Sequence, residues 1–181
     1  MAQESPIAGR KILIISTDGF EQSELEAPRD ALIEAGADVT IASLDGKDIC
    51  GWDDGDWGED VTTDMRIADA KAEDFDALVL PGGQMNPDVL RAEADAMDLI
   101  KAFGAAGKPI AAICHAPWLL IEAGLTKGKR ITSYHSIETD VRNSGAEFVD
   151  ASVVVDGNII TSRCPDDLKD FNDAIIAALA A

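Results

Sequence analysis

The feature of this sequence that most constrains its fold is a regular alternation of short apolar runs with longer segments of helical spacing. Apolar runs typical of buried strands occupy residues 11–16, 38–43, 77–80 and 109–113. Amphipathic segments that end at a glycine follow three of these runs, over residues 21–35, 93–106 and 116–123. Because strands that are apolar on both faces alternate with helices, the pattern predicts an α/β fold with a mostly parallel central sheet and helices on both faces.

The remaining segments are assigned from their turn residues. Residues 152–155 and 159–162 flank Asp-Gly-Asn and are typical of a β-hairpin, and Pro165 begins a final predicted helix. Residues 44–64 are rich in glycine and aspartate and carry two tryptophans, so we interpret them as a loop or small excursion at the sheet edge. Residues 1–10 are expected to form a flexible arm, and residues 1–181 a single domain, a length that suits one sizeable core.

Charge and cysteine content exclude several classes of function. The net charge of −19 repels phosphate backbones and anionic lipid, so no nucleic-acid or membrane partner is expected. The acidic run over residues 53–60 lacks the spacing of a calcium loop, so no metal site is predicted. The N-terminal residues lack the pattern of a secretory signal. The three cysteines include no Cys-x-x-Cys pair, so reduced thiols and a cytoplasmic location are predicted.

Cys114 is the strongest candidate for chemistry, because it lies directly between a predicted strand and a predicted helix. Such a junction sits at the carboxyl end of a parallel strand, where open α/β sheets place their sites. A sharp turn there projects the side chain outward, as in the nucleophile elbow of hydrolases. The start of the following helix favours a thiolate, the nucleophilic form of cysteine. The position of Cys114 by itself is equally compatible with an inert buried cysteine. The neighbouring residues therefore decide between a reactive and an inert thiol.

Three further features are expected at the same edge of the sheet. His115 adjoins Cys114 and is a candidate base, although neighbours on a sharp turn can point apart and a packed structural histidine is the alternative. Gly82 and Gly83 follow a predicted strand, where glycine lets backbone N–H groups approach a ligand closely or simply forms a tight turn. His135 follows a predicted strand over residues 130–134, and we interpret it as a substrate-pocket or structural residue.

Four motifs occur in order over about residues 11–179: DGFEQSEL, LVLPGG, AAICHAPWLLIEAG and VVVDGNIITSRCPDDL. Together they closely resemble the PfpI-type family of intracellular peptidases and general stress proteins. That family is part of the superfamily of the parkinsonism-associated deglycase and the class I glutamine amidotransferases. The resemblance implies a flavodoxin-like sandwich, no cofactor, and a homodimer or a hexamer built from dimers. Members are variously assigned as peptidases, glyoxalases, deglycases and redox-responsive chaperones.

The resemblance also implies roles for individual residues. Cys114 matches the elbow nucleophile, His115 the histidine after it, and Glu24 the acid whose carboxyl hydrogen-bonds the cysteine sulfur. Gly82 and Gly83 match the oxyanion-binding turn. Of the two candidate groups, Glu24 is expected to transfer the proton, because the acid position of the superfamily is filled here without substitution.

Two positions depart from the family pattern. Asp88 falls where peptidase-like members supply a glutamate to the neighbouring subunit's site, and it is one methylene shorter. Ala116 stands at the elbow where many members have glycine, at a position implied to bind substrate or its oxyanion. The late His-x-Glu pair of the glutamine amidotransferases is missing from residues 162–165, so amidotransfer is disfavoured.

These departures favour chemistry on small reactive carbonyls such as methylglyoxal, or on their early adducts with thiols and amines. In this hypothesis Cys114 attacks the aldehyde, while Glu24 and His115 move protons. Two alternatives stay open. One is a cysteine peptidase that Asp88 completes across a subunit interface, and the other is a redox sensor and chaperone in which Cys114 is oxidised beside Glu24.

Overall fold

The computed structural model describes residues 5–181 and has strands and helices that follow one another along the chain. The strands are β1 (Lys11–Ile15), β2 (Phe20–Glu21), β3 (Asp38–Ser43), β4 (Ile49–Asp53), β5 (Asp56–Val61), β6 (Met65–Arg66), β7 (Ala77–Leu80), β8 (Ile110–Ile113), β9 (Arg130–Ile131), β10 (Glu147–Phe148), β11 (Val153–Asp156) and β12 (Ile159–Ser162). The helices are α1 (Gln22–Glu34), α2 (Met85–Leu90), α3 (Ala94–Ala105), α4 (Pro117–Glu122), α5 (Glu138–Asn143) and α6 (Leu168–Ala180).

Seven of the strands form the central sheet, in the order β11-β12-β8-β7-β1-β3-β6. Every neighbouring pair in it is parallel except β11 and β12, which form the predicted antiparallel hairpin. The predicted fold class is therefore confirmed. The carboxyl ends of β1, β7 and β8 lie side by side in the middle of the sheet, so the loops that follow them meet at one edge.

The core consists of two apolar layers, one on each face of the sheet. Leu13 and Ile15 of β1 pack with α3 and α4, while Ile12 and Ile14 pack with α1 and α6. Successive side chains of a strand point to opposite faces, so a strand with helices on both sides must be apolar at every position. That requirement explains the unbroken apolar runs of the sequence. None of the helices described over residues 5–181 is long and apolar enough to cross a bilayer.

The N-terminal segment differs from the expected flexible arm. Ile7 is 2% exposed and packs with the α1 and α6 layer. Its N–H donates to the carbonyl of Ala35, and the N–H of Gly9 donates to the carbonyl of Gly36. Burial of an isoleucine offsets the entropy of ordering a short segment, so residues 5–10 form part of the fold. The expectation for residues 1–4 lies outside the described residues.

Two segments near the expected site also differ from their prediction. Residues 44–64 contain a β-hairpin, β4 and β5, which pairs with β2 in a separate three-stranded sheet. Gln22 secures this hairpin, since its Oε1 accepts the N–H of Glu59 at 2.9 Å and packs against two glycines of the hairpin. The strand expected over residues 130–134 contains only Arg130–Ile131, which pairs with β10. The chain after it turns toward Cys114.

Candidate active site

Cys114 lies on a strained turn between β8 and α4. Its φ is 64°, in the left-handed region that non-glycine residues rarely adopt. Its N–H donates to the carbonyl of Ser162 at 3.1 Å, and its carbonyl accepts the N–H of Tyr134 at 2.8 Å. These two bonds hold the backbone in a conformation that costs on the order of 1 kcal/mol or more. The elbow therefore projects the thiol into the cleft with a defined direction.

His115 faces the thiol rather than pointing away from it. Its Nδ1 lies 3.1 Å from the Cys114 sulfur. The imidazole stacks on the ring of Tyr134, with centroids 4.9 Å apart, and meets the edge of Trp118 at 5.2 Å. The residue as a whole is 8% exposed. Burial and then the charge of His135 lower the pKa of His115, so the imidazole is neutral near pH 7 and can accept a proton.

Glu24 approaches the same sulfur from the first turn of α1. Its side chain is fully buried, and its Oε2 accepts the N–H of Gly82 at 3.0 Å. Among the described residues Oε1 has no hydrogen-bond partner, although the Cys114 thiol is close enough to lower the Glu24 pKa. Burial, followed by the charge of Glu21, raises the pKa of Glu24 to about 8. At neutral pH this side chain is therefore mostly a protonated acid that can donate a hydrogen bond.

The electrostatics of Cys114 differ from those expected at a helix start. Burial, and then the charge of Glu24 when ionised, raise the pKa of the thiol. The backbone N–H groups of Gly83 and His115 act in the opposite direction, because they point at the sulfur. The six-residue helix α4 does not outweigh desolvation. The thiol is therefore mostly protonated, and a base would have to take its proton before the sulfur could act as a nucleophile.

The two glycines after β7 have different roles. Gly82 donates its N–H to Glu24, so that group is not free to bind an oxyanion as expected. A Cβ at Gly82 would lie 2.5 Å from Glu24 Oε2 and 2.6 Å from the Cys114 Cβ, so both side chains pack directly against the space that a side chain at Gly82 would fill. Gly83 has a φ of 74°, and its N–H lies near both groups, since it lowers the pKa of the Cys114 thiol and that of the Glu24 carboxyl. Gly83 and His115 thus supply the backbone donors near the thiol.

Three other predicted site residues lie away from the thiol. Ala116 is fully buried in the α3 and α4 layer, gives its N–H to the carbonyl of Ile113 and does not line the Cys114 cleft, where substrate contact was expected. His135 lines the neighbouring cleft, with Arg142 and Phe148, rather than the cleft of Cys114. Asp88 is exposed on α2 and does not line the Cys114 cleft of its own chain.

The cleft in front of Cys114 has a volume of about 440 Å³. Its walls include Glu21, Trp52, Tyr134, Ser136 and Pro165, none of which was predicted as a site residue. Trp52 reaches the cleft because the β4–β5 hairpin docks on β2, and the sequence carries no local signal of that contact. Among residues 5–181 no three histidine, cysteine or acidic side chains are grouped so as to hold a metal ion.

Asn86 is a supporting residue that the sequence analysis missed. Its side chain is fully buried, and its Nδ2 donates to the carbonyls of Pro81 and Gly82 at 2.9 and 3.3 Å. Its Oδ1 accepts the N–H of Thr17 at 2.8 Å. One amide thereby ties the loop after β1 to the loop after β7. A polar residue soon after a Gly-Gly turn was the signal available in the sequence.

The raised pKa of Glu24 predicts how stability depends on pH. The folded protein binds this proton more tightly than the unfolded chain, whose carboxyl pKa is 4.5, so the stabilisation is complete below pH 4.5 and is lost as pH rises through about 8. Glu24→Gln should remove this dependence. At pH 8 the variant should be more stable than the wild type by roughly 4 kcal/mol. Urea unfolding at pH 5, 6, 7 and 8 measures the difference.

The matched control is Glu26→Gln, a change on the same helix at a side chain that is 37% exposed. Its stability should follow that of the wild type at every pH. If the unfolding free energies of Glu24→Gln and the wild type stay parallel from pH 5 to 8, Glu24 does not have the raised pKa.

Comparison with known proteins identifies relatives of the chain. The sequence profile of the DJ-1/PfpI family matches residues 10–178. The chain is 48% identical over 164 residues to YraA of Bacillus subtilis, whose name describes it as a candidate cysteine protease, and the match covers 90% of this chain and 94% of that one. It is 44% identical over 158 residues to a protein of Thermococcus kodakarensis named as a deglycase, with coverages of 87% and 92%.

Solved structures give the same result. DJ-1beta of Drosophila melanogaster superposes with a TM-score of 0.86 at 35% identity, covering 95% of this chain and 91% of that chain. A protein of Anabaena variabilis with DJ-1/ThiJ/PfpI-like and ferritin-like domains superposes with a TM-score of 0.89 at 36% identity. That match covers 94% of this chain and 48% of the two-domain protein. The family profile, the two relatives and the shared fold together show that this chain belongs to the DJ-1/PfpI family.

Proposed function

We propose that the protein is a cofactor-independent enzyme that converts small reactive carbonyls, such as methylglyoxal or its early adducts with amines, through a covalent bond to Cys114. The observation that carries this proposal is the arrangement around one sulfur: the neutral imidazole of His115 at 3.1 Å and the protonated carboxyl of Glu24 beside it. The relative named as a deglycase supports the same class of substrate. The chemistry requires a free thiol, so we place the enzyme in the reducing cytoplasm.

The first proposed step is addition of the thiol to the aldehyde. As the sulfur of Cys114 bonds to the aldehyde carbon, the thiol proton passes to Nδ1 of His115 and then to the aldehyde oxygen, which gives a hemithioacetal. The backbone N–H groups of Gly83 and His115 stabilise that oxygen while it carries negative charge.

The second proposed step moves hydrogen between the two carbons of the substrate. His115 removes the proton from the carbon bonded to sulfur, and return of a proton to the neighbouring carbon converts the enediol into a thioester. Water then hydrolyses the thioester to lactate and restores the thiol. The net reaction is methylglyoxal plus water to lactate. Glu24 donates a hydrogen bond to the sulfur as it leaves. Although the family resemblance favoured Glu24 for proton transfer, the neutral ring of His115 and the raised pKa of Glu24 lead us to assign His115 as the base and Glu24 as the acid.

The charge and size of the cleft suit a small neutral substrate. Glu21 lines the cleft, and burial together with the charges of Asp53 and Asp54 raises the pKa of its carboxyl. The negative potential at this rim opposes anionic substrates, while it accepts neutral aldehydes and cationic amine adducts. A cleft of about 440 Å³ also holds a carbonyl of a few heavy atoms with room for a bound amine.

The proposal is tested by incubating the purified protein with methylglyoxal, without added glutathione, and measuring lactate with a lactate dehydrogenase assay. Lactate should form catalytically, in many equivalents per protein chain. A parallel reaction with the methylglyoxal adduct of N-acetyl-lysine tests the deglycase form of the reaction. If neither substrate gives lactate, the carbonyl proposal fails. If the protein forms no lactate but mild peroxide oxidises Cys114 stoichiometrically, the result favours a redox sensor.

A cysteine peptidase is the second candidate function. The Cys114–His115 distance suits peptide hydrolysis, and a relative carries a name of that kind. In this case we propose that Asp88 enters the site of a neighbouring subunit in a homodimer or hexamer. Its exposure on α2 is compatible with that arrangement.

Asp88→Ala separates the two functions. We expect lactate formation by the variant to stay within about twofold of the wild type, because substitution of an exposed residue away from the reacting groups has small effects. A peptidase would instead lose hydrolysis of a fluorogenic peptide while Cys114 is still alkylated at the wild-type rate. The measurement is therefore three rates on one variant: lactate formation, peptide hydrolysis and alkylation by iodoacetamide.

A further inference from the structure

The imidazole of His115 has a second partner that neither the proposed function nor the family resemblance assigns. The Oγ of Ser136 lies 3.2 Å from His115 Nε2, while Nδ1 lies 3.1 Å from the Cys114 sulfur. Both ring nitrogens thus have partners within the same chain. Ser136 also lines the Cys114 cleft.

Local structure explains how Ser136 reaches the ring. The carbonyl of Cys114 accepts the N–H of Tyr134, which ties the segment after β9 to the elbow. Tyr134 stacks on the imidazole, and the short 3₁₀ helix His135–Ile137 begins directly after it. Ser136 is the second residue of that turn, so its hydroxyl faces the far side of the ring from Cys114.

We propose that Ser136 is a positioning residue that holds the His115 ring toward Cys114 through an uncharged hydrogen bond, so that the same ring both accepts and releases a proton in each catalytic cycle. Because Nδ1 must be unprotonated to take the thiol proton, Nε2 carries an N–H in both the neutral and the protonated ring, and the serine hydroxyl accepts it in both. A carboxylate at this place would accept the same N–H, but its charge would hold the added proton on the imidazole. The expected effect of Ser136 on turnover rests on the proposed carbonyl function, whereas its expected effect on the orientation and titration of the His115 ring does not.

Other charges around the ring do not replace this contact. The titratable and charged side chains nearest to it, from the elements packed around it, are Cys114, Tyr134, Glu24, Glu21, His135 and, behind Trp118, Arg91 and Asp140. Of these, only Cys114 is hydrogen-bonded to the imidazole among the described residues. Substitution of Ser136 therefore changes the hydrogen bond at Nε2 without replacing the side chain that contacts Nδ1.

The test compares three substitutions at one position. Ser136→Ala should lower kcat for lactate formation about five- to tenfold with little change in KM, since it removes one hydrogen bond to a positioned base. Ser136→Thr keeps the hydroxyl and should restore kcat to within about twofold. Ser136→Asp should raise the pH at which His115 titrates and shift the alkylation of Cys114 to lower pH, because a carboxylate stabilises an imidazolium–thiolate pair. Its lactate turnover should nevertheless fall.

Two readouts are independent of turnover. The titration of His115 is followed by NMR, and the signal is distinguished from that of His135, the other histidine in the chain, with a His135→Gln variant. The rate of Cys114 alkylation by iodoacetamide is followed against pH. Ser144→Ala is the matched control, because it removes a serine hydroxyl that donates to the carbonyl of Val141 at 2.6 Å, outside the cleft.

Two results together would support the proposal: Ser136→Asp shifts Cys114 alkylation to lower pH while it lowers lactate turnover, and Ser136→Thr restores turnover. A merely structural role would instead impair alkylation and turnover together. If Ser136→Ala and Ser136→Asp leave the His115 titration and the alkylation profile at wild-type values, Ser136 has no role in positioning the ring. If the wild type forms no lactate, the carbonyl function fails, but these two readouts still decide the role of Ser136.

Discussion

Replacing Cys114 with serine is expected to abolish lactate formation from methylglyoxal, with turnover lower than that of the wild type by at least about a thousandfold. A hydroxyl is a far weaker acid than a thiol, so the neutral imidazole of His115 cannot generate a comparable nucleophile from it. The substitution changes one atom of a side chain that is 6% exposed, so the fold should persist. Turnover and circular dichroism on the same preparation measure the two effects.

Cys50→Ser is the matched control for this experiment. Cys50 is half-buried on β4, and its thiol lies 3.6 Å from the carbonyl of Gly58, outside the Cys114 cleft. Its turnover should equal that of the wild type. Lactate formation by Cys114→Ser above a hundredth of the wild-type rate would rule out a covalent bond to this sulfur.

Gly82→Ala is expected to have the second-largest effect, on stability and activity together. The added Cβ would lie 2.5 Å from Glu24 Oε2, 2.6 Å from the Cys114 Cβ and 2.6 Å from the carbonyl oxygen of Ile113. The last contact is with backbone at the end of β8, which cannot move without distorting the sheet. Overpacking of this kind should reduce the free energy of unfolding by roughly 3 kcal/mol.

Catalysis should suffer further, because the methyl group separates the acid from the nucleophile. A displacement of about 1 Å between reacting groups can reduce a rate about a hundredfold, so turnover of folded Gly82→Ala should fall by at least that factor. Urea unfolding measures the stability, and lactate formation at a temperature where the variant is folded measures the activity.

Gly104→Ala serves as the comparison for Gly82→Ala. There the added Cβ meets only the end of the Leu125 side chain, at 2.7 Å and beyond, and a flexible side chain can shift. Gly104 also lies in α3, where alanine favours the helix. This variant should retain wild-type activity. Equal stability and turnover for Gly82→Ala and the wild type would contradict the close packing of Glu24 and Cys114 around Gly82.

The sequence alone determined the order of the main strands and helices and the position of the candidate nucleophile. Local patterns carry this information, because a strand covered on both faces must be apolar throughout and a helix must be apolar along one side. The junction at Cys114 followed directly from these boundaries. Glu24 was found through the resemblance to the family, since an acid in the first turn of a helix is equally expected to do no more than complement the helix dipole.

Only the tertiary structure decided which groups meet the thiol. Glu24 and Gly82 are 58 residues apart, and Ser136 lies 21 residues from His115, so no local pattern joins either pair. Their contact depends on loops after different strands arriving at one edge of the sheet. The orientation of His115 likewise depends on stacking against Tyr134.

Burial accounts for the remaining differences between prediction and structure. Ala116 lies two residues after Cys114 in sequence but is buried in the core, and the N–H of Gly82 is hydrogen-bonded to the buried carboxyl of Glu24. The thiol expected to ionise readily has a raised pKa because protein surrounds it on nearly all sides. Direction of side chains, hydrogen-bond partners and desolvation all arise from packing between distant segments, and packing exists only once the chain has folded.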